Sequence, residues 1–215
     1  MGVPELTAVY IRVWKRWIDI LLSLTGIVFL CVPMLVIAAI IKLQDPGPAV
    51  FRQERVGIRK TRFELLKFRT MRQETPHDLP KDMLSEPERY MLPCGWTLRK
   101  YSLDELPQLF NILRGDMSIV GPRPVIGNLN ERELIEERDR YGANDIRPGL
   151  TGLAQISGRD MLSNREKAAL DGEYVRRQSF LFDCRCFFLS IGKVLTHDGF
   201  SEGGGEQRNV TDHRT

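Results

Sequence analysis

The stretch ILLSLTGIVFLCVPMLVIAAII, residues Ile20–Ile41, runs for 22 residues without a charge. That is the length at which a membrane helix becomes the default reading of an apolar run. It is longer than a signal-peptide core, and Lys42-Leu43-Gln44-Asp45-Pro46 follows it with no small-residue cleavage pattern, so the segment is expected to stay attached. Basic residues flank both ends: Arg12, Lys15 and Arg16 before it, Lys42 and a cationic stretch from Arg52 after it. A single crossing would leave one basic flank outside, against the tendency of Lys and Arg to stay on the cytoplasmic side, whereas a re-entrant hairpin avoids that conflict. Pro33 stands near the middle, where its ring removes one backbone hydrogen bond and clashes with the preceding turn, so a kink or break is expected there. The arm Ile20–Val32 would then reach only roughly 20 Å, short of a hydrocarbon core of about 30 Å. Membrane helices also tolerate proline, so the residues alone leave a spanning helix and a re-entrant hairpin both open. Trp14 and Trp17 suit interfacial anchoring either way.

Outward from this arm, the rest of the 215-residue chain is long enough for one domain with a real core, at an ordinary 42% hydrophobic content. A net charge of +3 conceals a basic arc: Arg52, Arg55, Arg59, Lys60, Arg62, Lys67, Arg69 and Arg72 face only Glu54 and Glu64. Such an arc suggests an anionic partner without saying which: nucleic acid, a nucleotide or acidic lipid. Cys31, Cys94, Cys184 and Cys186 form no C-x-x-C pair and have no histidine at ligand spacing, which excludes a zinc or disulfide framework as the organising principle. The three histidines are scattered and receive no role.

Asp45-Pro46-Gly47-Pro48 is a turn, and Ala49–Arg55 with Arg62–Met71 reads as a β-hairpin about Gly57–Lys60. Gln73–Gly95 carries four prolines and reads as a loop-rich excursion. Leu103, Leu106, Leu109, Phe110 and Leu113 recur at helical spacing up to Gly115, with Ser102 as N-cap, Glu105 completing a capping box and Pro107 in the first turn. A charged, solvent-facing helix is expected near Leu129–Arg140. Phe180–Leu195 is amphipathic, covering the core or lying in a headgroup layer. Residues 201–215 read as a disordered tail.

Asp104 and Glu105 are adjacent carboxylates with Arg99, Lys100 and Arg114 close in sequence. First-turn acids and a capping box account for them without catalysis. Their neighbours favour chemistry: Gly121-Pro122-Arg123-Pro124, Arg147-Pro148-Gly149 and Gly158-Arg159 set arginines on stiff loops, an arrangement suited to phosphate recognition. A membrane arm, a basic surface, paired carboxylates able to hold Mg²⁺ and Arg-bearing loops together describe an enzyme that transfers phosphate groups at a membrane.

The order of motifs resembles the bacterial sugar transferases, the small monotopic phosphoglycosyl transferases. The match carries Lys15-Arg16-x-x-Asp19, the apolar arm with its central proline, Asp45-Pro46-Gly47-Pro48, Lys67-Phe68-Arg69-Thr70-Met71 and Leu98-Arg99. It continues through Ser102-Leu103-Asp104-Glu105-Leu106-Pro107-Gln108, Asn111, Gly115-Asp116-Met117-Ser118, Gly121-Pro122-Arg123-Pro124, Arg147-Pro148-Gly149-Leu150-Thr151-Gly152 and Gln155-Ile156-Ser157-Gly158-Arg159. The resemblance implies a mainly α fold with a small β-hairpin. Residues 1–43 would form a re-entrant membrane helix-break-helix bent at Pro33, and residues 44–200 a compact cytosolic catalytic domain resting on interfacial amphipathic helices of the bacterial inner membrane. The implied reaction moves a phospho-sugar from a UDP-sugar to undecaprenyl phosphate and releases UMP, with no nucleic-acid partner. Asp104 would be the nucleophile, Glu105 would help hold Mg²⁺ or manage a proton, Arg99 would clamp phosphate, and Arg123, Pro124 and Arg147 would meet the nucleotide. Lys67 and Arg69 read as structural or membrane-facing. Many members place Ser before the kink proline, where this chain has Val32. A lipid glycosyltransferase releasing UDP and a non-catalytic membrane scaffold are the rival readings.

Overall fold

The structure is a computed structural model describing residues 8–75, 87–127, 129–158 and 161–196. The proposed tail at 201–215, residues 76–86 of the proline-rich excursion, Arg159 and all three histidines lie outside the described residues. A π-helical turn, Tyr10–Trp14, leads directly into α1, Lys15–Gln44. Contrary to the break expected at Pro33, α1 is one continuous helix with that proline inside it. A proline forfeits a single i→i−4 bond, and the turns on either side, packed against the body, carry the helix through it.

That packing follows a stripe. Asp19, Ser23, Met34 and Ile41 are buried, with Leu30, Ile37 and Ala38 packed beside them. The three- and four-residue spacing lines these side chains along one face from end to end. At the first turns, Arg16 donates to the carbonyls of Ile112 and Leu113 at 2.6 and 2.9 Å. The Asp19 carboxylate accepts from the Ser118 hydroxyl and the Ile119 amide at 2.8 and 3.0 Å. Midway, a side chain at Gly26 would press on Leu109. At the far end Met34 and Ile41 join Ala49, Phe68, Leu92 and Leu98 in one apolar cluster, and Asp45 is ion-paired with Arg69. The opposite face, including Trp17, Leu21, Val28, Phe29, Leu35 and Leu43, is bare.

Strands β1, Val50–Val56, and β2, Arg62–Phe68, form the expected antiparallel hairpin, with Val50 opposite Phe68 and Val56 opposite Arg62. The short helix α2, Gly95–Lys100, precedes a 3-10 turn over Leu103–Glu105, and α3 spans Gln108–Arg114. The single helix anticipated from Leu103 is thus divided, because Pro107 takes the cap position of α3 and the turn before it is tighter than an α-helix. Gly115, at φ 102°, ends α3 as anticipated.

The periodicity gave no sign of a second, parallel pair: β3, Ser118–Val120, beside β4, Gly149–Thr151. Three glycines permit it. A Cβ on Gly121 would lie 2.5 Å from the Arg147 carbonyl, and one on Gly149 or Gly152 would lie 2.1 Å from the Gly121 backbone. The remaining helices are α4, Leu129–Asp139; α5, Leu153–Ser157; α6, Asn164–Arg177; and α7, Phe180–Thr196. Helix α4 faces solvent as its charge implied, except at buried Leu134 and Arg138. Helix α6 opens with a capping box between Ser163 and Glu166. Helix α7 covers the core, the first of the roles weighed for it: Phe182 and Cys186 enter the main core with Leu65, Ile112, Met117 and Tyr174, while Phe180, Leu181, Phe188 and Leu195 remain exposed.

Asn111, on α3 and fully buried, joins the hairpin to the rest. Its amide carbonyl accepts from the Leu66 amide at 3.0 Å, and its amino group donates to the Glu64 carbonyl at 2.7 Å and to Asp116 at 3.1 Å. One side chain thereby closes the free edge of β2 as another strand would. Asn111→Ala strands the buried Leu66 amide and is expected to cost about 1–3 kcal/mol. Denaturant unfolding in detergent checks this, and a cost below roughly 0.5 kcal/mol contradicts the bridging role.

Candidate active site

Asp104 and Glu105 sit in the 3-10 turn that links α2 to α3. Ser102, at φ 54°, enters this turn in the left-handed region and makes no side-chain cap bond. The capping box anticipated for Ser102 and Glu105 is therefore absent, since a left-handed cap residue aims its hydroxyl away from the amides that a capping box serves. Glu105 is directed elsewhere. Its Oε1 accepts from Lys67 Nζ at 2.8 Å and from Arg123 at 3.1 Å, so β2, the 3-10 turn and the loop after β3 meet at one oxygen.

The two carboxylates consequently differ. Burial acts to raise the Glu105 carboxyl, but the Lys67 ammonium and then the Arg123 guanidinium outweigh it and hold the group well below the usual carboxylate range. Asp104 is 9% exposed. Burial pushes it up to about 6, with Glu105 adding to the rise and Lys67, Arg99 and Arg123 opposing it; no hydrogen bond from a described residue is among these influences. Paired titratable groups driven apart in this way divide the roles of a site between them. Glu105 is a fixed anion, and Asp104 is a carboxylate that ionises near neutrality with no proton donor among the described residues bonded to its oxygens. Three cations around two carboxylates leave the cradle positive, ready for a further anion.

Arg99, from α2, donates from Nε to the Thr70 hydroxyl at 2.9 Å, and burial lowers its pKa while Asp104 raises it, so it stands within electrostatic reach of the dyad. Arg123 projects from its loop with its guanidinium half-exposed, and Pro124 is buried behind it. Arg147 lies at the opposite end of α3 from the dyad, where its Nε donates to the Gly115 carbonyl at 2.9 Å and completes the helix C-terminus beside Arg16. Pro33 is on the exposed face of α1. The structure thus gathers Asp104, Glu105, Arg99 and Arg123, and assigns Arg147 to capping. Lys67, read as structural or membrane-facing, belongs to the site. Its signal was the alternation of Phe63, Leu65 and Lys67 along β2, which puts the lysine on the face that Leu65 buries. Arg55 and Arg138, which hold the Arg123 loop from behind, carried no such signal.

A carboxylate pair in a cationic cradle, carried by a body docked along a long helix with one bare apolar face, defines a membrane-associated enzyme of group transfer. The chain belongs to the bacterial sugar transferase family, whose description matches residues 10–197. It is 37% identical over 186 residues to the uncharacterised sugar transferase EpsL of Bacillus subtilis, covering 85% of this chain and 89% of the relative. It is likewise 37% identical over 199 residues to the exopolysaccharide production protein ExoY of Sinorhizobium fredii, covering 86% and 87%. Identity reaches 40% over 190 residues with the Escherichia coli UDP-glucose:undecaprenyl-phosphate glucose-1-phosphate transferase, covering 85% of this chain and 40% of that larger protein.

Because Asp104 is raised in the folded state from 3.8 to about 6, the folded protein holds that proton more tightly than the unfolded chain does. Its contribution to stability is complete below pH about 4 and is lost as pH rises through about 6. Asp104→Asn removes the buried charge, so in EDTA it should stabilise the protein at pH 8 by up to roughly 3 kcal/mol, with the gain vanishing near pH 4. Melting curves of both proteins across this range test the assignment; a gain independent of pH contradicts it.

Proposed function

We propose that the protein transfers a phospho-sugar from a UDP-sugar to undecaprenyl phosphate by way of a covalent phospho-sugar adduct on Asp104. The observation that carries this reading is the divergence of the dyad: Glu105 is neutralised by two cations, while Asp104 is buried, accepts no hydrogen bond from a described residue and ionises near neutral pH. In the first step an Asp104 oxygen attacks the β-phosphorus of the donor. The bond from that phosphorus to the bridging oxygen breaks, and UMP departs with the oxygen and its electron pair. In the second step a phosphate oxygen of the lipid acceptor attacks the same phosphorus, and the Asp104 carboxylate is the leaving group. A nucleophile that ionises near the working pH suits both halves, attacking in one and departing in the other. Arg123 and Arg99 are placed to bind donor phosphates, and Lys67 keeps Glu105 ionised beside the reacting carboxylate.

The donor set fits Mg²⁺. Among the described residues there is no cluster of three or more His, Cys, Asp or Glu side chains, but Mg²⁺ needs only one or two carboxylates when substrate phosphates supply further oxygens. Asp104 and the second oxygen of Glu105, which takes neither of the bonds from Lys67 and Arg123, are the groups that would hold it. Bound there, it would offset the charge of the diphosphate as UMP leaves.

The membrane arrangement we infer is monotopic. Contacts to the body at the first turns, the middle and the last turns of α1 support a helix that enters and leaves on one side of the bilayer, bending at Pro33 without interruption. A perpendicular crossing would draw the charged body into hydrocarbon. The apolar faces of α1 and α7 adjoin where Lys15 Nζ donates to Asp183 at 2.5 Å and the Tyr10 and Phe180 rings meet edge-on at 6.0 Å. An exposed apolar surface of this kind marks a membrane contact. With both basic flanks on the body's side, that side is the cytosolic face of the inner membrane.

The Escherichia coli relative is named for UDP-glucose, and a relative from Erwinia amylovora is a UDP-galactose-lipid carrier transferase, which makes these two donors the first of a UDP-sugar panel with undecaprenyl phosphate and Mg²⁺. The expected nucleotide product is UMP, and Asp104→Asn should reduce its release by at least about a thousandfold. UDP as the product would favour a lipid glycosyltransferase. Full biological activity in the Asp104→Asn protein would favour a scaffold.

A further inference from the structure

Residues 122–125 form the loop that presents Arg123, and three elements grip it through four successive carbonyls. The Gly149 amide of β4 donates to Pro122 O at 2.8 Å, and the Val56 amide at the end of β1 donates to Val125 O at 2.8 Å. The two carbonyls between them are held by arginines, one buried and one half-buried. Arg138 of α4 donates from NH1 to Arg123 O at 3.1 Å, and Arg55 of β1 donates from NH1 to Pro124 O at 3.2 Å.

These arginines are costly to bury. Arg138 is 5% exposed, and its Nε and NH2 both reach Asp171 Oδ2, at 2.7 and 2.6 Å, on a residue of α6 that is fully buried. Asp171 Oδ1 has no partner among the described residues, and neither does the buried Nε of Arg55. A desolvated ion pair contributes little to stability compared with well-packed apolar side chains, and Leu134 and Ala168 already join α4 to α6 in that manner. The planar guanidinium supplies something apolar packing cannot: one rigid group fixed edge-on by a carboxylate, with a remaining N–H directed at a chosen carbonyl. That carbonyl belongs to the residue whose side chain reaches Glu105. Pro122 and Pro124 on either side fix their own φ angles and offer no N–H, so these carbonyl contacts and the two rings determine where the Arg123 side chain departs from the backbone.

We infer that Arg138, anchored by Asp171 and seconded by Arg55, is a positioning residue that sets the direction of Arg123 toward Glu105 and toward the phosphates of the nucleotide donor. It rests on the reading above that Arg123 binds those phosphates. Arg55 contributes a second effect: its guanidinium is near enough to Arg123 for their like charges to act on each other, which favours the extension of Arg123 away from the core and onto the carboxylate.

The probe is UDP itself, which carries the diphosphate without committing to a sugar, titrated with Mg²⁺ onto the full chain in detergent. Arg123→Ala and Arg138→Gln should each weaken UDP binding at least about fivefold, and the double variant should bind within about twofold of Arg123→Ala alone, because the second change acts only through the first. Leu134→Ala serves as the structural control; it lowers the melting temperature by disturbing the same helix pair and should leave the UDP affinity within about twofold of the unchanged protein. If Arg138→Gln does not fold, Arg55→Gln takes its place in the same cycle. Losses that multiply in the double variant, an unaltered affinity in Arg138→Gln, or an equal loss in Leu134→Ala overturn the positioning role while leaving Arg123 as a phosphate ligand. An unaltered affinity in Arg123→Ala overturns both.

Discussion

Glu105 Oε1 is shared by an ammonium from β2 and a guanidinium from the loop after β3, and the organisation of the catalytic end of the molecule follows from that shared oxygen. Without it the hairpin, the 3-10 turn and the Arg123 loop would have no common point, since they come from stretches of sequence separated by up to 56 residues. The pairing also creates the chemical asymmetry. At Asp104 burial outweighs the opposing charges of Lys67, Arg99 and Arg123 and the carboxyl rises to about 6, whereas at Glu105 the directly bonded Lys67 and Arg123 outweigh burial and the carboxyl falls. A pair with equal shares of the same cations would hold two ordinary carboxylates. Buried ionic networks of this kind bring little stability, so their presence here is better explained by the reaction than by the fold.

The same economy is visible in α1. Its inner face is anchored by polar groups at the beginning, Arg16 to backbone carbonyls and Asp19 to Ser118 and Ile119, and by apolar packing of Met34 and Ile41 at the end. Its outer face carries no charged side chain from Ile20 to Ile41 and is apolar over most of that length. Because Ser118 and Ile119 belong to β3, and β3 runs directly into the loop that bears Arg123, the helix with the bare apolar face and the Arg123 loop share one short strand. Asp183 reinforces this junction from α7: it accepts from Tyr10, Lys15 and Tyr174, and the Tyr174 hydroxyl also donates to the Val120 carbonyl at 3.0 Å. These contacts fix the position of the Arg123 loop relative to the bare apolar face of α1, as the proposed transfer between a soluble donor and a lipid acceptor requires.

Much of this was legible in the chain. The apolar run Ile20–Ile41, the hairpin about Gly57–Lys60, the stop at Gly115 and the two-sided Phe180–Leu195 helix each follow from local patterns of hydrophobicity and turn chemistry. The order of motifs pointed to the family and to Asp104, Glu105, Arg99 and Arg123 together. What was hidden is long-range. A parallel pair of three-residue strands has no period to detect, and only the close approach of Gly121, Gly149 and Gly152 reveals it. The role of Lys67 depended on which face of β2 met the 3-10 turn. Arg147 and Arg123 have the same neighbours in sequence, a proline and a glycine close by, yet one caps α3 and the other meets the dyad, a distinction made by tertiary placement alone. Ser102 and Glu105 have the spacing of a capping box, and the left-handed backbone at Ser102 redirects both.

The central claim is that the Asp104 carboxylate, and not Glu105, becomes bonded to the phosphorus of the donor. Incubating the protein with a UDP-sugar labelled in its β-phosphate, without lipid acceptor, and mapping the label by mass spectrometry after rapid proteolysis tests it directly. The account predicts a hydroxylamine-sensitive phospho-sugar on the peptide containing Asp104, discharged when undecaprenyl phosphate is added. Labelled lipid product formed at full rate with no protein adduct at any time, or an adduct confined to another side chain, contradicts it.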